Sequence, residues 1–164
     1  MEVHVVTLRR AHAYPDPVTL TVETRTPADI SAAELYAVLR LRVDVFVVEQ
    51  ACAYPDLDGR DLLDDTLLVW AHDDGDLLGT IRVLGVHGTA PAIGRVATAP
   101  AARGRGVARA LLEHGIALCR PDAEIHLHAQ THLEDWYGRL GFARAGDDYD
   151  EDGIPHVPMT LAPR

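Results

Sequence analysis

Lysine and asparagine are absent from this 164-residue chain, and serine occurs once, at Ser31. The missing lysine removes whole classes of chemistry. A Walker-A loop requires Gly-Lys-Ser/Thr, a protein kinase requires a strand lysine on the nucleotide phosphates, and Schiff-base catalysis requires an amine side chain. Lysine and asparagine share A-rich codons, so their joint absence reads as a GC-rich coding sequence rather than a functional demand. The lone serine sits where a helix begins and leaves no spare serine nucleophile. Cysteine is scarce too: Cys52 and Cys119 read as reduced thiols of a cytoplasmic protein, not as a disulfide scaffold. No apolar run nears the ~20 residues of a membrane span. The N-terminal "MEVHVVTLRRAHAYP" lacks the basic-then-apolar order of a secretory signal. The expectations are a cytoplasmic location and no membrane partner. A formal net charge of -10 argues against a nucleic-acid-binding face, yet it leaves room for a local phosphate site.

At 164 residues the chain is read as one domain, 1–164, large enough to bury a core without disulfides. Residues 18–24, "VTLTVET", alternate apolar and polar as a strand does. Residues 1–17 are either a segment pairing beside that strand or an N-terminal extension. Ser31 with Glu34 forms a capping box, and the helix it opens runs towards "VFVVEQ" at 45–50, with Leu35, Val38, Leu39, Leu41 and Val43 as its apolar side. The Pro-, Asp- and Gly-rich "ACAYPDLDGRD" is a loop. Residues 66–72 and 77–84 form a hairpin across "DDGD". Further strands fall at 92–98 and 124–130, with an amphipathic helix after "RGRG" between them. "THLEDWYGRL" reads as a helix of nearly three turns stopped by Gly141. Residues 142–145 and 155–161 close the domain as two strands around an acidic loop. The order fits neither an even βαβ alternation nor an all-β domain, so the class is α/β with a mixed sheet.

The most informative stretch is "RGRGVAR" at 103–109, where Arg103, Arg105 and Arg109 gather at the start of a helix in an acidic chain. The first turn of a helix leaves backbone N–H groups without partners and carries about half a positive charge, which makes an anion site. Gly104 and Gly106 let an anion approach the backbone. Arginines at a helix start are unfavourable by about 0.3–1 kcal/mol each, so an anion is expected to offset them. A dinucleotide G-x-G-x-x-G fails, because Arg109 occupies the third glycine position.

With these residues in place, the chain resembles GNAT-type N-acetyltransferases, and within them the ElaA-like group. Arg103, Gly106 and Ala108 fit the Q/R-x-x-G-x-G/A signature. "WYGRLGF" at 136–142 looks like the second signature, a tyrosine four residues before Gly-Phe. "LRLRVDVFVVEQ", "YPDLDGRD", "IGRV", "HLEDWYGRLGF" and "EDGIPHVPM" match the ElaA-like group. Ala53 stands where that group usually has proline, and residues 1–17 have no counterpart in it. The resemblance implies a single-domain α/β (α+β) fold with a mixed, mostly antiparallel, splayed central sheet flanked by helices. It implies acetyl-coenzyme A as cosubstrate and no metal, with Val96, Ala97, Thr98 and the turn Arg103, Gly104, Arg105, Gly106, Val107, Ala108 and Arg109 as its site. The pantetheine arm would add to the strand at 93–98 like another strand.

For chemistry, the resemblance makes Tyr137 the hydrogen-bond partner and proton donor of the departing sulfur. The base is open between Glu49 and His128, the latter because a histidine is near neutral at cellular pH. Phe46, Gln50, Arg82, Gln130, Glu151, Asp152 and His156 are the expected acceptor contacts. Asp44, Asp56 and Asp58 join Glu49, Glu151 and Asp152 as a negative pocket for a cationic amine. The expected partner is a small-molecule or peptide amine, and the oligomeric state is monomer or homodimer. Rival readings are a module that binds acetyl-coenzyme A without catalysis, a metal enzyme on His126, His128 and His132, and a cysteine hydrolase on Cys52.

Overall fold

The computed structural model describes residues 3–8 and 18–164, with side chains from Leu20 onward. Residues 1, 2 and 9–17, part of the expected extension, lie outside the described residues. The strands are β1 (Val3–Leu8), β2 (Val18–Arg25), β3 (Leu67–Asp73), β4 (Asp76–Leu84), β5 (Ala92–Thr98), β6 (Ile125–Gln130), β7 (Ala143–Arg144), β8 (Tyr149–Glu151) and β9 (Ile154–Leu161). The α-helices are α1 (Ala32–Arg42), α2 (Val107–Leu118) and α3 (Glu134–Gly138). Among the described residues the strands form one sheet in the order β1-β2-β3-β4-β5-β6-β9-β7, with β8 also paired to β9. All pairs are antiparallel except β5 with β6.

Local signals explain most boundaries. Ser31 Oγ accepts from Glu34 N–H at 3.2 Å and Glu34 Oε2 accepts from Ser31 N–H at 2.8 Å, so the capping box is complete. The β3–β4 hairpin turns on Asp74 and Gly75, both at positive φ, as a two-residue turn requires. Gly141, at φ +95°, ends the segment after α3. Alternation along β3 sorts the layers. Val69 and Ala71 join the main core with Val107, Leu111 and Leu112 of α2. Leu68 and Trp70 join Val38 of α1 on the other face.

Three expectations change. The helix from Ser31 leaves α geometry at Arg42 and continues as a π-helical turn over Val43–Glu49. The helix expected over 131–140 is a 3₁₀ turn at Thr131–Leu133 followed by only five α-helical residues, Glu134–Gly138, and neither start carries a side-chain cap. The acidic loop contains a strand: β8 folds onto β9 through Asp152 and Gly153, both at positive φ. That Asp-Gly pair is the same hairpin signal as Asp74-Gly75.

The sheet has one deep irregularity. Thr80 pairs with Ala97 and Arg82 with Gly94, so Ile81 of β4 faces two residues of β5, Arg95 and Val96. This bulge places Arg95 at φ +53°, uncommon for a side chain of its size. An ion-pair network holds it. Arg95 Nε lies 2.7 Å from Asp56 Oδ1, and the guanidinium sits over the Tyr54 ring. Arg42 is 1% exposed and reaches Asp56 at 2.9 Å and Asp61 at 2.6 Å. Arg82 bonds both Asp58 oxygens, at 2.7 and 2.8 Å, and also Asp61. Three arginines thus face three aspartates. The two Arg82 bonds and the nearby Arg95 hold the Asp58 carboxyl well below the usual carboxylate range.

Removing one member leaves buried charge without a partner, which typically costs about 3–5 kcal/mol. Arg42→Leu is expected to lower unfolding stability by about that amount in chemical denaturation. Asp58 is depressed in the folded state, so its contribution is complete above its unfolded pKa of about 4 and is lost on acidification below it. The wild-type denaturation midpoint should therefore fall below about pH 4.

Candidate active site

The sheet opens beside the bulge. β5 and β6 pair in register only at Ala92 and His126, and then diverge. A cleft of about 980 Å³ occupies the gap. It is lined along one edge by Val96, Thr98 and the turn before α2, and at the other end by His128, Gln130, Tyr149, Glu151 and His156. The π-helical turn carries Phe46 and Glu49, with Gln50 after it, to the cleft between those ends.

The coenzyme-side expectations fall mostly on backbone. Ala99 N–H bonds Leu78 O at 2.9 Å, on the β4 side of β5. Strand alternation therefore turns the N–H of Thr98 to the open edge, and Val96, in the bulge, lines the same edge. The same alternation turns Ala97 away, and the Ala97 methyl is buried in the sheet rather than in the cleft. Gly104 and Gly106 take φ +72° and +82°. Ala110 is the residue that bonds back to Gly106 O, at 3.0 Å, so the N–H groups of Val107, Ala108 and Arg109 have no partner within the helix. Arg103 and Arg109 line the cleft, but Arg105 turns to Asp73 at 3.4 Å. Free N–H groups at a helix start beside an unpaired strand edge suit a pyrophosphate and an amide-bearing arm.

Arg103 is engaged across the cleft. Its guanidinium donates to both Glu49 oxygens, at 2.8 and 2.7 Å, and these bonds hold the Glu49 carboxyl below its usual range. A carboxylate so held is a weaker base. Tyr137 is 6% exposed, edge-on to Trp136 and Phe142, and burial pushes its hydroxyl up to about 12. It lines the cleft with its proton in place.

At the acceptor end, Gln130 Nε2 donates to Gln50 Oε1 at 3.2 Å and ties β6 to the chain after the π-helical turn. His128 Nδ1 lies 2.7 Å from the Tyr149 hydroxyl. His156 Nδ1 donates to Ile154 O at 2.8 Å. The Asp152 carbonyl accepts from the Cys52 thiol at 3.5 Å, which joins the β8–β9 turn to the loop after Gln50.

Some sequence assignments are revised. Arg82 touches the cleft, but its guanidinium is committed to Asp58 and Asp61. Asp56 and Asp58 are neutralised by Arg42, Arg82 and Arg95, and exposed Asp44 pairs with Arg40, so of the expected acidic pocket only Glu49, Glu151 and Asp152 line the cleft. Among the described residues no three His, Cys, Asp or Glu side chains are gathered as a metal site; His126 meets Glu124 and His128 meets Tyr149. Sequence reasoning missed Tyr54, Trp136 and Tyr149 as cleft residues. The Asp152-Gly153 hairpin signal was the available clue to Tyr149, because it fixes which residues of β8 share a face.

Comparisons with known proteins agree with this geometry. Residues 40–163 match the family described as "Acetyltransferase (GNAT) domain". UPF0039 protein Rv2851c of Mycobacterium tuberculosis is 46% identical over 140 residues, covering 80% of this chain and 86% of that protein. Protein ElaA of Escherichia coli is 40% identical over 140 residues, covering 81% and 90%. The crystal structure of an acyl-CoA N-acyltransferase from Pseudomonas aeruginosa superposes with a TM-score of 0.82 at 42% identity, covering 87% of this chain and 99% of that one. Escherichia coli ElaA does so with a TM-score of 0.80.

If backbone rather than side chain forms the phosphate cradle, Gly106→Val raises the Kd for coenzyme A more than Arg105→Ala does. A β-branched residue at φ +82° carries strain on the order of 1–3 kcal/mol, which corresponds to about fivefold to a hundredfold in affinity. Arg105→Ala is expected to change it by about threefold at most. Titration calorimetry orders the two.

Proposed function

The chain belongs to the GNAT acetyltransferase family and is an acyltransferase; on that premise we propose that it moves an acetyl group from acetyl-coenzyme A to a primary amine by direct attack, with both substrates bound together. One observation carries this reading: the split between β5 and β6 joins the N–H-rich turn to the His128, Glu151 and His156 wall in a single cleft. Neither a serine nor a histidine-partnered cysteine is needed for such a transfer.

Each end has its task. The N–H groups of Val107 to Arg109 receive the pyrophosphate, and Arg103 and Arg109 flank it. The N–H groups of Val96 and Thr98 pair with the pantetheine arm, and a neighbouring N–H on this edge meets the thioester oxygen as negative charge develops on it. Acceptor contacts come from Phe46, Gln50, Gln130, Glu151, Asp152 and His156. Glu151 and Asp152 favour an amine that arrives as a cation, which must lose a proton before it attacks. Of the two candidate bases, Glu49 is weakened by Arg103, so His128 takes that role.

Tyr137 serves the leaving group. Its hydroxyl, at about 12, is a weaker acid than a thiol at about 8.5. It therefore holds the developing thiolate by a hydrogen bond and does not surrender its proton outright. Within the family frame the acceptor is set by the loop after Gln50 and the β8–β9 hairpin.

A panel of small amines, peptide N-termini and lysine peptides, followed by thiol release, tests the activity. Tyr137→Phe should lower kcat by about 10²-fold while changing the Kd for coenzyme A by less than about twofold. Equal loss of binding and turnover would place Tyr137 in packing instead.

A further inference from the structure

Five side chains from three strands share the polar face that closes the acceptor end. Gln130 lies opposite His156, and His156 lies opposite Tyr149. His128 is two residues before Gln130, and Glu151 is two after Tyr149, so pleat parity puts all five on one face. The Tyr149 hydroxyl is 2.7 Å from His128 Nδ1 and donates to Glu151 Oε2 at 3.4 Å.

A phenol has one hydrogen for these two neighbours. The Glu151 carboxylate can only accept, whereas an imidazole nitrogen can donate or accept. Both contacts are attractive in one arrangement alone: Tyr149 O–H points to Glu151, and His128 Nδ1–H points to the Tyr149 oxygen. The reverse choice sets the phenol oxygen's lone pairs against the carboxylate. Burial and the Glu151 charge hold the Tyr149 hydroxyl up at about 12, so it keeps its hydrogen at working pH. With Nδ1 protonated, the neutral ring carries its lone pair on Nε2.

We propose that Tyr149 is a positioning residue: backed by Glu151, it fixes neutral His128 as the Nδ1–H tautomer and leaves Nε2 free to take the acceptor's proton. This deepens the acyl-transfer reading and rests on it. His128 Nε2 takes one proton from the arriving ammonium; the neutral amine nitrogen then bonds to the thioester carbon and sheds its second proton to solvent. The carbon–sulfur bond breaks with its electron pair on sulfur, and the thiolate departs along the Tyr137 hydrogen bond to be protonated in solvent. The His128 imidazolium then returns its proton to water. Throughout, Nδ1–H stays on Tyr149.

His156 supplies an internal control. Its ring lies tilted against Tyr149 at 5.9 Å, but its Nδ1–H is given to Ile154 O, so its tautomer is set without the phenol.

The test is imidazole ¹⁵N and ¹³C NMR on the full chain labelled at histidine. His128 of the wild type should be mainly Nδ1–H. Tyr149→Phe keeps the ring against His156 and removes only the oxygen; it should move His128 towards Nε2–H and leave His156 as it was. Glu151→Gln still offers an acceptor oxygen and should retain the Nδ1–H form, whereas Glu151→Leu should lose it. In turnover with acetyl-coenzyme A and an amine found in the panel, Tyr149→Phe should lower kcat about tenfold, and His128→Gln about 10²-fold or more. An Nε2–H tautomer in the wild type, or one that ignores Tyr149→Phe, overturns the proposal. A Tyr149-dependent Nδ1–H tautomer in a protein that acetylates no amine would uphold the contact and overturn the acyl-transfer reading instead.

Discussion

The cleft depends on an arginine held in a conformation that arginine disfavours. Arg95 occupies the left-handed region because β5 has one residue too many for β4, and Asp56 and Tyr54 grip its side chain there. Such backbone strain is of order 1–3 kcal/mol and persists only where the surroundings over-determine it. Here they do. Asp56 also receives Arg42 of α1, Asp61 joins Arg42 to Arg82 of β4, and Asp58 joins Arg82 to Arg95. Helix, loop and two strands are therefore locked to one another through charges that cannot be separated cheaply once buried. The pairing of β5 with β6 is confined to Ala92, just before the bulge, so the bulged residues border the open edge.

An open sheet edge in the middle of a domain is ordinarily a liability, since unpaired backbone groups invite another strand. On the reading proposed above, the open edge is where a coenzyme's amide-bearing arm finds its partners. The two ends of the cleft then use different physics. The turn at 103–109 presents backbone N–H groups, made reachable by two glycines at positive φ. The far wall works through side chains whose hydrogen bonds set which atoms donate. Between them, Arg103 and Glu49 join the coenzyme turn to the π-helical turn over the acceptor end.

Much of this was legible in the sequence, for local reasons. The capping box at Ser31, the Asp-Gly turn of β3–β4, the apolar side of α2 and the glycine-arginine turn are all determined within a few residues, and each is where it was read. The rest is nonlocal. Periodicity reports burial only for apolar residues, so nothing in the pattern of α1 marks Arg42, among the most buried side chains. Its partners are 14 and 19 residues away, and no local pattern separates Asp56 from the acids that line the cleft. The same blindness made Asp56 and Asp58 look like acceptor contacts. Four of the seven residues of Val43–Glu49 are valine, a poor α-helix former, but that composition does not by itself name a π-helical turn, and α3 ends at Gly138, short of the Gly141 at which the local pattern stops. Tyr149 was hidden because an acidic stretch was taken for a loop although its turn signal lay at Asp152-Gly153.

On the proposed reading, the β5 edge left open beside the Arg95 bulge binds the coenzyme through its backbone. Residue-resolved amide hydrogen exchange, with and without saturating coenzyme A, tests this most directly. The N–H groups of Val96 and Thr98, and those of Val107 to Arg109, should slow markedly on binding. Ala99, already bonded to Leu78, should not change. Coenzyme A binding that leaves Val96 and Thr98 unprotected would contradict the account.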